Sequence, residues 1–489
     1  LLKLFIKRRL LLVFLLCPVL FSMPVYGLSS QTAKSINGSS PYLSFDNGKS
    51  ASSTILPLLS ITLPKNKVIS ALEDNSSATD PIMIDKVSST FSDIVTNMPF
   101  ANYPSTTLAN VVVTNNYWHD PDGDKLFTIT GNMQIKWENA AGEDVTNYVK
   151  SNPNSELDAC KSPYKLTLSA DAGSLATNYG IPSIGSFTGG SHSYYLYPST
   201  PKVCYVQPNL YQGKGIQAGD EYEGGNYAGP VTQWDPDRGF KPQDLKNPLS
   251  NFPTTGTNNY FFKMTIAGLT AGQFISINGA QIMPSSGSGV NLSITAENNN
   301  INGNVVRVTL KGPTLTSANN NFISSIFKFY GDSAKSKIIY QFNLSRWFIV
   351  KPGIKGVDYI NNYSDAVQFC RNLGSNYRMP SLQDYTNANT SQYHFNLGVP
   401  GQGNVYQRSI SYRNGSTGKW VGGFFNEWGA IAAGTWMGDS YYSDSGWAIG
   451  NYWVSDVNTI NGVKYNYNIF SEFGDIDPFG NGRVACVTP

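Results

Sequence analysis

Residues 365–385, DAVQFCRNLGSNYRMPSLQDY, carry the local pattern that says most about the fold. Apolar residues recur at helical spacing before Gly374, which predicts an amphipathic helix with Cys370 on its buried face. Gly374 is expected to end that helix, because glycine readily adopts the left-handed conformation of a helix C-terminus. Ser381 and Asp384 fit a helix N-cap followed by an acidic third position. The stretch therefore predicts two short helices joined by a tight connection.

Two later segments extend this pattern, Tyr452–Ser455 (YWVS) and Arg483–Val487 (RVACV). The order is a helix with a cysteine, then Arg-Met-Pro-Ser, then Tyr-Trp-x-Ser, then a cysteine in a final strand. This order resembles the C-type-lectin-like fold in its bacterial versions, and in broad layout the terminal domains of intimin and invasin. The resemblance covers 353–489 and implies an α+β domain with a disulfide from the first helix to the last strand, which is Cys370–Cys486 here.

In lectin-like folds the long loop between the helices and the Tyr-Trp strand usually binds the ligand, and here that region is rich in glycine and aromatic residues. Aromatic faces and planar polar groups suit a sugar, and exposed aromatic side chains also anchor proteins. The alternative is that the tryptophans fill the core of a loop-rich domain. The predicted ligand-binding residues are Trp428, Trp436, Asp439, Tyr441, Tyr442, Asp444 and Trp447.

The sequence lacks the Glu-Pro-Asn, Gln-Pro-Asp and Trp-Asn-Asp triplets of calcium-dependent animal lectins. We therefore expect no metal ligands and no cofactor, and the predicted partner is a host cell-surface glycan or a host protein.

The first 27 residues have the three parts of a signal peptide. Residues 1–9 are basic, residues 10–22 are apolar, and Val25–Gly27 offers a cleavage site. An uncleaved anchor and a lipoprotein modified at Cys17 are the alternatives, but the apolar stretch is short and contains a proline. We expect a secreted or cell-surface protein with no membrane insertion of the mature chain.

Composition agrees with an extracellular β protein. Charged residues are 14% of the 489, against a typical ~25%, while aromatic residues reach 13%. Such a chain is unsuited to a coiled coil. Without the four basic residues among the first nine, 31 basic residues face 33 acidic ones. With no basic run to neutralise phosphates, nucleic acid is not an expected partner.

Four cysteines remain after removal of the signal peptide, and four cysteines allow three disulfide connectivities. Pairing within each stretch of the chain, as Cys160–Cys204 and Cys370–Cys486, is the simplest choice. The absence of a Cys-x-x-Cys motif and of a Cys/His cluster argues against zinc.

The rest of the chain is expected to be mainly β. Residues 28–100 are rich in Ser, Thr and Asn and predict a linker or stalk. Residues 101–350 contain short strands separated by turn residues and predict a β-sandwich-like region, which the resemblance described next implies is an adhesion domain. Within it, Trp234–Phe240 (WDPDRGF) with Asn251–Pro253 resembles the adhesion domain of large surface proteins of enteric bacteria. The alternative for that motif is a packed turn with a buried Trp and Arg238 paired to a carboxylate.

The segment Asp120–Asp124 (DPDGD) predicts a turn between two strands. Its alternating aspartates also resemble the start of an EF-hand loop, but glycine is absent from the sixth position and Gly131 stands where the bidentate Glu should be. Similar turns in immunoglobulin-like and cadherin-like repeats sometimes bind calcium.

No catalytic motif is evident in the sequence. The three histidines are scattered, and there is no nucleophile elbow or phosphate-binding loop. The predicted function is therefore binding, by an exported bacterial adhesin. A secreted carbohydrate-active enzyme or its binding module is the alternative, since the spacing of paired carboxylates is invisible in sequence, and a structural surface protein is a third possibility.

Overall fold

The computed structural model describes residues 38–215, 226–352, 360, 362–374, 376–431, 440–460, 462–478 and 480–488. The fold is mainly β, as the composition predicts. Buried side chains form two hydrophobic cores, one from Leu43 to Leu196 and one from Val203 to Val487. We call the parts of the chain around these cores the first unit and the second unit.

The first unit contains thirteen strands and two short α-helices among its described residues. The strands are β1 Tyr42–Leu43, β2 Ile61–Leu63, β3 Lys67–Ile69, β4 Ile82–Ile84, β5 Val95–Thr96, β6 Ser105–Thr107, β7 Trp118–His119, β8 Leu126–Ile129, β9 Asn132–Glu138, β10 Tyr164–Ala170, β11 Gly173–Thr177, β12 Ile184–Phe187 and β13 Gly190–Pro198. The helices are α1 Leu108–Val112 and α2 Thr146–Ser151. The largest sheet has the order β4-β13-β10-β9-β6, and β12-β11-β8 form a second sheet.

The second unit contains the remaining described strands and helices. The strands are β14 Lys202–Gln207, β15 Trp234–Asp235, β16 Gly239–Phe240, β17 Thr255–Thr257, β18 Phe261–Ala267, β19 Gln281–Ile282, β20 Ser286–Ser288, β21 Asn291–Ala296, β22 Val305–Lys311, β23 Ile323–Tyr330, β24 Ile338–Leu344, β25 Arg346–Val350, β26 Tyr412–Arg413, β27 Trp420–Val421, β28 Asn451–Ile460, β29 Val463–Phe470, β30 Ile476–Asp477 and β31 Ala485–Val487. The helices are α3 Ala271–Asn278, α4 Tyr363–Asn372, α5 Leu382–Tyr385 and α6 Phe424–Trp428.

Single-turn 3₁₀ helices connect several of these elements, at Leu56–Leu59, Pro64–Asn66, Phe91–Asp93, Phe100–Asn102, Ala159–Lys161, Pro248–Ser250, Glu297–Asn299 and Ser443–Ser445.

Two sheets of the second unit pack as a β-sandwich. One has seven strands in the order β15-β16-β14-β18-β22-β21-β19, and the other is β20-β23-β24. Along β18 and β22 buried and partly exposed residues alternate, so one face of the larger sheet is apolar and the other polar. Phe262 on the apolar face lies edge-on to Phe342 of the opposite sheet, with ring centroids 6.0 Å apart.

A third sheet joins the sandwich to the C-terminal part of the chain. In it β25 pairs in parallel with β17 and antiparallel with β31, the last strand. The core consequently continues across residue 350 without a break. The sequence predicts one domain that ends at residue 350 and another that begins at residue 353, and the shared sheet and core differ from this division. The strand pattern before 350 and the lectin-like motif after 353 gave no sign that the two parts of the chain share a sheet.

The predicted linker over 28–100 is also corrected for its described part, 38–100. The apolar run Ile55–Leu63 turns five side chains into the core of the first unit, among them Leu58 and Ile61, both fully buried. Its strands have only two or three residues each, too few to show a period-2 pattern in sequence.

Both predicted disulfides are present in the structure. Cys370–Cys486 links α4 to β31. Cys160–Cys204 links a 3₁₀ turn of the first unit to β14 of the second, so it bridges the two units close to the point where the chain passes between them.

Replacing Leu58 by Ala should lower the free energy of unfolding by about 2–5 kcal/mol, because it leaves a cavity in a packed core. Urea denaturation followed by tryptophan fluorescence measures this change. The matched control is Leu72→Ala in the same segment, which is 63% exposed and should change stability by no more than about 0.5 kcal/mol. Equal, small effects of both substitutions would restore the linker interpretation.

Candidate functional site

The predicted ligand-binding loop region contains helix α6, Phe424–Trp428. All five residues of this helix are buried. Its Glu427 carboxylate accepts five hydrogen bonds. Thr254 and Thr255 each donate through the backbone N–H at 3.0 Å and the side-chain hydroxyl at 2.7 Å, and the N–H of Ser411 donates at 3.0 Å. A buried carboxylate is stable only when its lone pairs are satisfied in this way. The site is therefore fixed to the segment of chain that leads into β17.

A buried arginine, Arg346 of β25, organises the other side of this region. Its guanidinium donates to the Asp384 carboxylate at 3.2 Å and to the carbonyl of Gly422 at 3.1 Å. Its Cζ lies 4.1 Å from the ring centroid of Trp420. Arg378, from the Arg-Met-Pro-Ser motif, binds the same carboxylate at 2.6 Å. The motif thus supplies the second cation of a charge cluster that holds α5 in place.

A second buried arginine, Arg408, connects the loop region to the WDPDRGF motif. Its guanidinium lies over the Trp234 ring at 4.2 Å and donates to the carbonyls of Asn209 and Glu427. Trp234 is 2% exposed, as the packed-turn interpretation requires. The packed-turn interpretation also expects Arg238 to pair with a carboxylate, but among the described residues its side-chain partner is the hydroxyl of Tyr205.

Three predicted ligand-binding residues, Trp428, Tyr442 and Trp447, are at most 3% exposed. Tyr442 stacks on Tyr260 with centroids 3.8 Å apart. The indole N–H of Trp428 donates to the carbonyl of Thr255 at 2.9 Å. The expectation that these three side chains contact a ligand is corrected, because their rings pack against buried aromatic side chains, among them Tyr260 and Phe424.

Two other predicted residues lie at the surface. Tyr441 is partly buried and stacks on Phe261 of β18, with ring centroids 5.2 Å apart. The guanidinium of Arg307 also lies over the Phe261 ring, with its Cζ 4.0 Å from the ring centroid. Asp444 is exposed, and its carbonyl accepts from the side-chain amide of Asn259 at 2.7 Å. Trp436 and Asp439 lie outside the described residues.

The hairpin of β26 and β27 carries surface aromatics that the predicted set left out. Tyr412 is 48% exposed, and Trp420 is partly exposed. Arg413 lies directly opposite Trp420 in the ladder, with its Cζ 5.1 Å from the ring centroid. The Asn-Gly sequence after Arg413 suggests a two-residue turn, but the connection runs over 414–419 and neither Asn414 nor Gly415 has a positive φ, so this signal does not describe the observed hairpin.

Asp475 and Asp477 form a pair of interacting carboxyl groups in the C-terminal part of the second unit. Burial raises the pKa of Asp475 well above its usual range, and the neighbouring Asp477 raises it further. Burial also raises the pKa of Asp477. The pair can share one proton, since two carboxylates in contact cannot both be ionised at low energy.

No group of three His, Cys, Asp or Glu side chains suited to a metal occurs among the described residues. The Asp120–Asp124 segment forms the predicted turn, in which the carboxylate of Asp120 accepts from the N–H groups of Asp122 and Asp124. Within the described ranges no helix is long and apolar enough to cross a membrane.

Comparison of the chain with protein-family models, with curated proteins and with solved structures finds no match.

The charge cluster at α5 predicts an acid-dependent stability. Burial alone would raise the pKa of Asp384, but Arg378 and Arg346 lower it to about 2. A depressed pKa in the folded state contributes stability that is complete above the unfolded value of 3.8 and is lost as pH falls toward 2. The stability difference between wild type and Asp384→Asn should therefore shrink by about 2 kcal/mol between pH 5 and pH 2. Urea denaturation at a series of pH values measures it, and a constant difference would contradict the cluster.

Proposed function

We propose that the chain is an exported adhesin, and that it binds a host glycan or surface receptor through the loop region of a C-type-lectin-like C-terminal part. No covalent step is involved, and recognition depends on a surface that is ordered before the ligand arrives.

Three features of the C-terminal part support the lectin-like interpretation. Helix α4 precedes α5, the disulfide Cys370–Cys486 joins α4 to the last strand, and that strand, β31, pairs with β25, which directly precedes this part of the chain. The last strand is thereby held next to the start of this part, and the loop region lies in the chain between them.

One observation carries the proposal: on both sides of its undescribed portion, the loop that begins after α6 is anchored to the segment 255–260, which forms β17 and leads into β18. On one side, Trp428 donates to Thr255. On the other, Tyr442 stacks on Tyr260, and the indole N–H of Trp447 donates to the hydroxyl of Thr257 at 3.2 Å. Anchoring a loop in advance removes part of the ordering entropy that binding would otherwise require.

The aromatic residues of this region consequently divide into two roles. Trp428, Tyr442 and Trp447 position the loop. Contact with the ligand is assigned to Tyr441 and Asp444 at the surface, together with the predicted residues Trp436 and Asp439.

The alternative, a carbohydrate-active enzyme, would need a pair of carboxyl groups around a sugar bond. Retaining and inverting glycosidases separate these groups by about 5 Å or more, to make room for the sugar or a water molecule. Asp475 is only 7% exposed, so its carboxyl group does not face an open space that could hold a sugar. This pair therefore gives the enzyme no support, and binding remains the proposed function.

The test uses the oxidised chain from residue 28, applied to a glycan array and to host-cell surfaces, with calcium and with EDTA. Tyr441→Ala and Trp436→Ala should each weaken binding about tenfold or more, as truncation of an aromatic anchor does, without lowering the melting temperature by more than a few degrees. Binding in EDTA would identify a calcium-independent ligand.

The matched control is Tyr179→Ala in the first unit, a tyrosine that is 67% exposed. Its binding should equal that of wild type. The proposal fails if wild type binds neither surface, or if Tyr179→Ala weakens binding while the two loop variants do not.

A further inference from the structure

The WDPDRGF motif has a buried part and an exposed part, and the exposed part has no role in the loop surface. Trp234 and Phe240 are buried and hold the turn. Gly239 has a φ of +94°, and a Cβ there would lie 2.6 Å from the carbonyl of Val206 on β14, so only glycine lets the turn lie this close to the strand. The result is that Arg238 is held rigidly at the surface beside β14.

Arg238 projects over a groove of about 360 Å³ at the junction of the two units. Ser162 and Tyr197 of the first unit line one side, and Tyr205 of the second unit lines the other. The Cys160–Cys204 disulfide lies in the groove and ties both sides together. The volume of the groove falls within the range of small-ligand sites, which occur preferentially between domains.

The guanidinium of Arg238 is oriented but retains most of its donors. It lies 5.3 Å over the Tyr205 ring and donates one hydrogen bond to the Tyr205 hydroxyl at 3.1 Å. It forms no ion pair within the described residues. Asp235 and Asp237 of the same motif also lie near Arg238, and Asp237, which lines the groove, is paired with Lys214 at 2.5 Å. An arginine fork held in one plane, whose other donors are unused within the described part of the chain, is the group that best recognises a carboxylate.

Polar side chains with unused hydrogen-bonding capacity complete the groove. Gln207, Thr265 and Asn304 line it, and within the described residues their side chains form no hydrogen bonds. Thr265 is opposite Tyr205 in the ladder between β14 and β18, so both project from the same polar face of the sheet. Amides and hydroxyls next to a tyrosine ring are the groups that bind sugar hydroxyls and the apolar face of a sugar ring.

We propose that this groove is a second binding site, and that its ligand is a sugar bearing a carboxylate. Arg238 binds the carboxylate, Gln207, Thr265 and Asn304 bind hydroxyl groups, and Tyr197 supplies an apolar contact. The site is separate from the loop region around Tyr441 and does not depend on that surface binding a ligand.

The test is saturation-transfer NMR and calorimetric titration of the oxidised chain from residue 28, with the methyl glycosides of N-acetylneuraminic acid and of glucuronic acid as probes. Their methyl esters, which have the same shape without the charge, are the matched ligands. Saturable binding is expected for at least one acid, with a dissociation constant about tenfold or more lower than that of its ester. Which acid binds identifies the class of sugar.

Two arginine variants locate the site. Arg238→Lys keeps the charge but loses the planar fork, and it should weaken binding of the acid about tenfold, to the level of the ester. Arg413→Lys alters another exposed arginine that stacks on an aromatic ring and should leave binding unchanged. Both positions are at the surface, so melting temperatures should match that of wild type.

The proposal is overturned if neither acid binds, if acid and ester bind equally, or if Arg238→Lys binds as wild type does. Binding of a short glutamate-rich peptide that is lost in Arg238→Lys, without binding of either sugar, would also overturn it and assign the groove to acidic peptides. Because the loop variant Tyr441→Ala should still bind the acid sugar, failure of one site is distinguishable from failure of the other.

Discussion

The second unit depends on the hydrogen bonds that the carboxylate of Glu427 accepts. This carboxylate is fully buried and accepts four hydrogen bonds from Thr254 and Thr255, which precede and begin β17. Loss of one partner of such a buried charge is far more costly than loss of a surface pair, because the remaining groups stay desolvated and unpaired. The loop region is consequently built as an extension of the sandwich, and a side chain on α6 determines where the chain around residue 254 must lie.

This arrangement explains why so many aromatic residues of the loop region pack in the interior and position the loop, and are not available to contact a ligand. Tyr260, which directly precedes β18, packs against Trp428, Tyr442 and Trp447, all from the stretch 428–447 of the C-terminal sequence. Two fully buried arginines, Arg346 and Arg408, each combine carbonyl hydrogen bonds with an aromatic face. The same principle applies at the junction of the units, where the buried part of WDPDRGF holds Arg238 at the surface and Tyr205 orients its guanidinium. In both places a rigid interior supports a small exposed set of groups.

Short sequence patterns correctly predicted those features that depend on neighbouring residues. The helical spacing around Cys370 and the capping residues Ser381 and Asp384 gave α4 and α5, and pairing cysteines within each stretch gave both disulfides. Burial of Trp428 and Trp447 could not be predicted, because a tryptophan in a glycine-rich loop suits a binding surface and a core equally well, and the choice depends on Thr255 and Thr257, about 170–190 residues earlier. The parallel pairing of β17 with β25 has the same non-local origin.

The most direct test of a shared core is the ¹H–¹⁵N correlation spectrum of residues 353–489 produced alone, with Cys370 and Cys486 oxidised. That fragment lacks Thr254 and Thr255, which satisfy Glu427. It also lacks β17 and β25, and β25 is the strand that pairs with both β17 and β31. The expected spectrum is poorly dispersed, and heating should produce no cooperative transition. A well-dispersed spectrum with a cooperative unfolding transition would show that this part folds independently and would contradict the account.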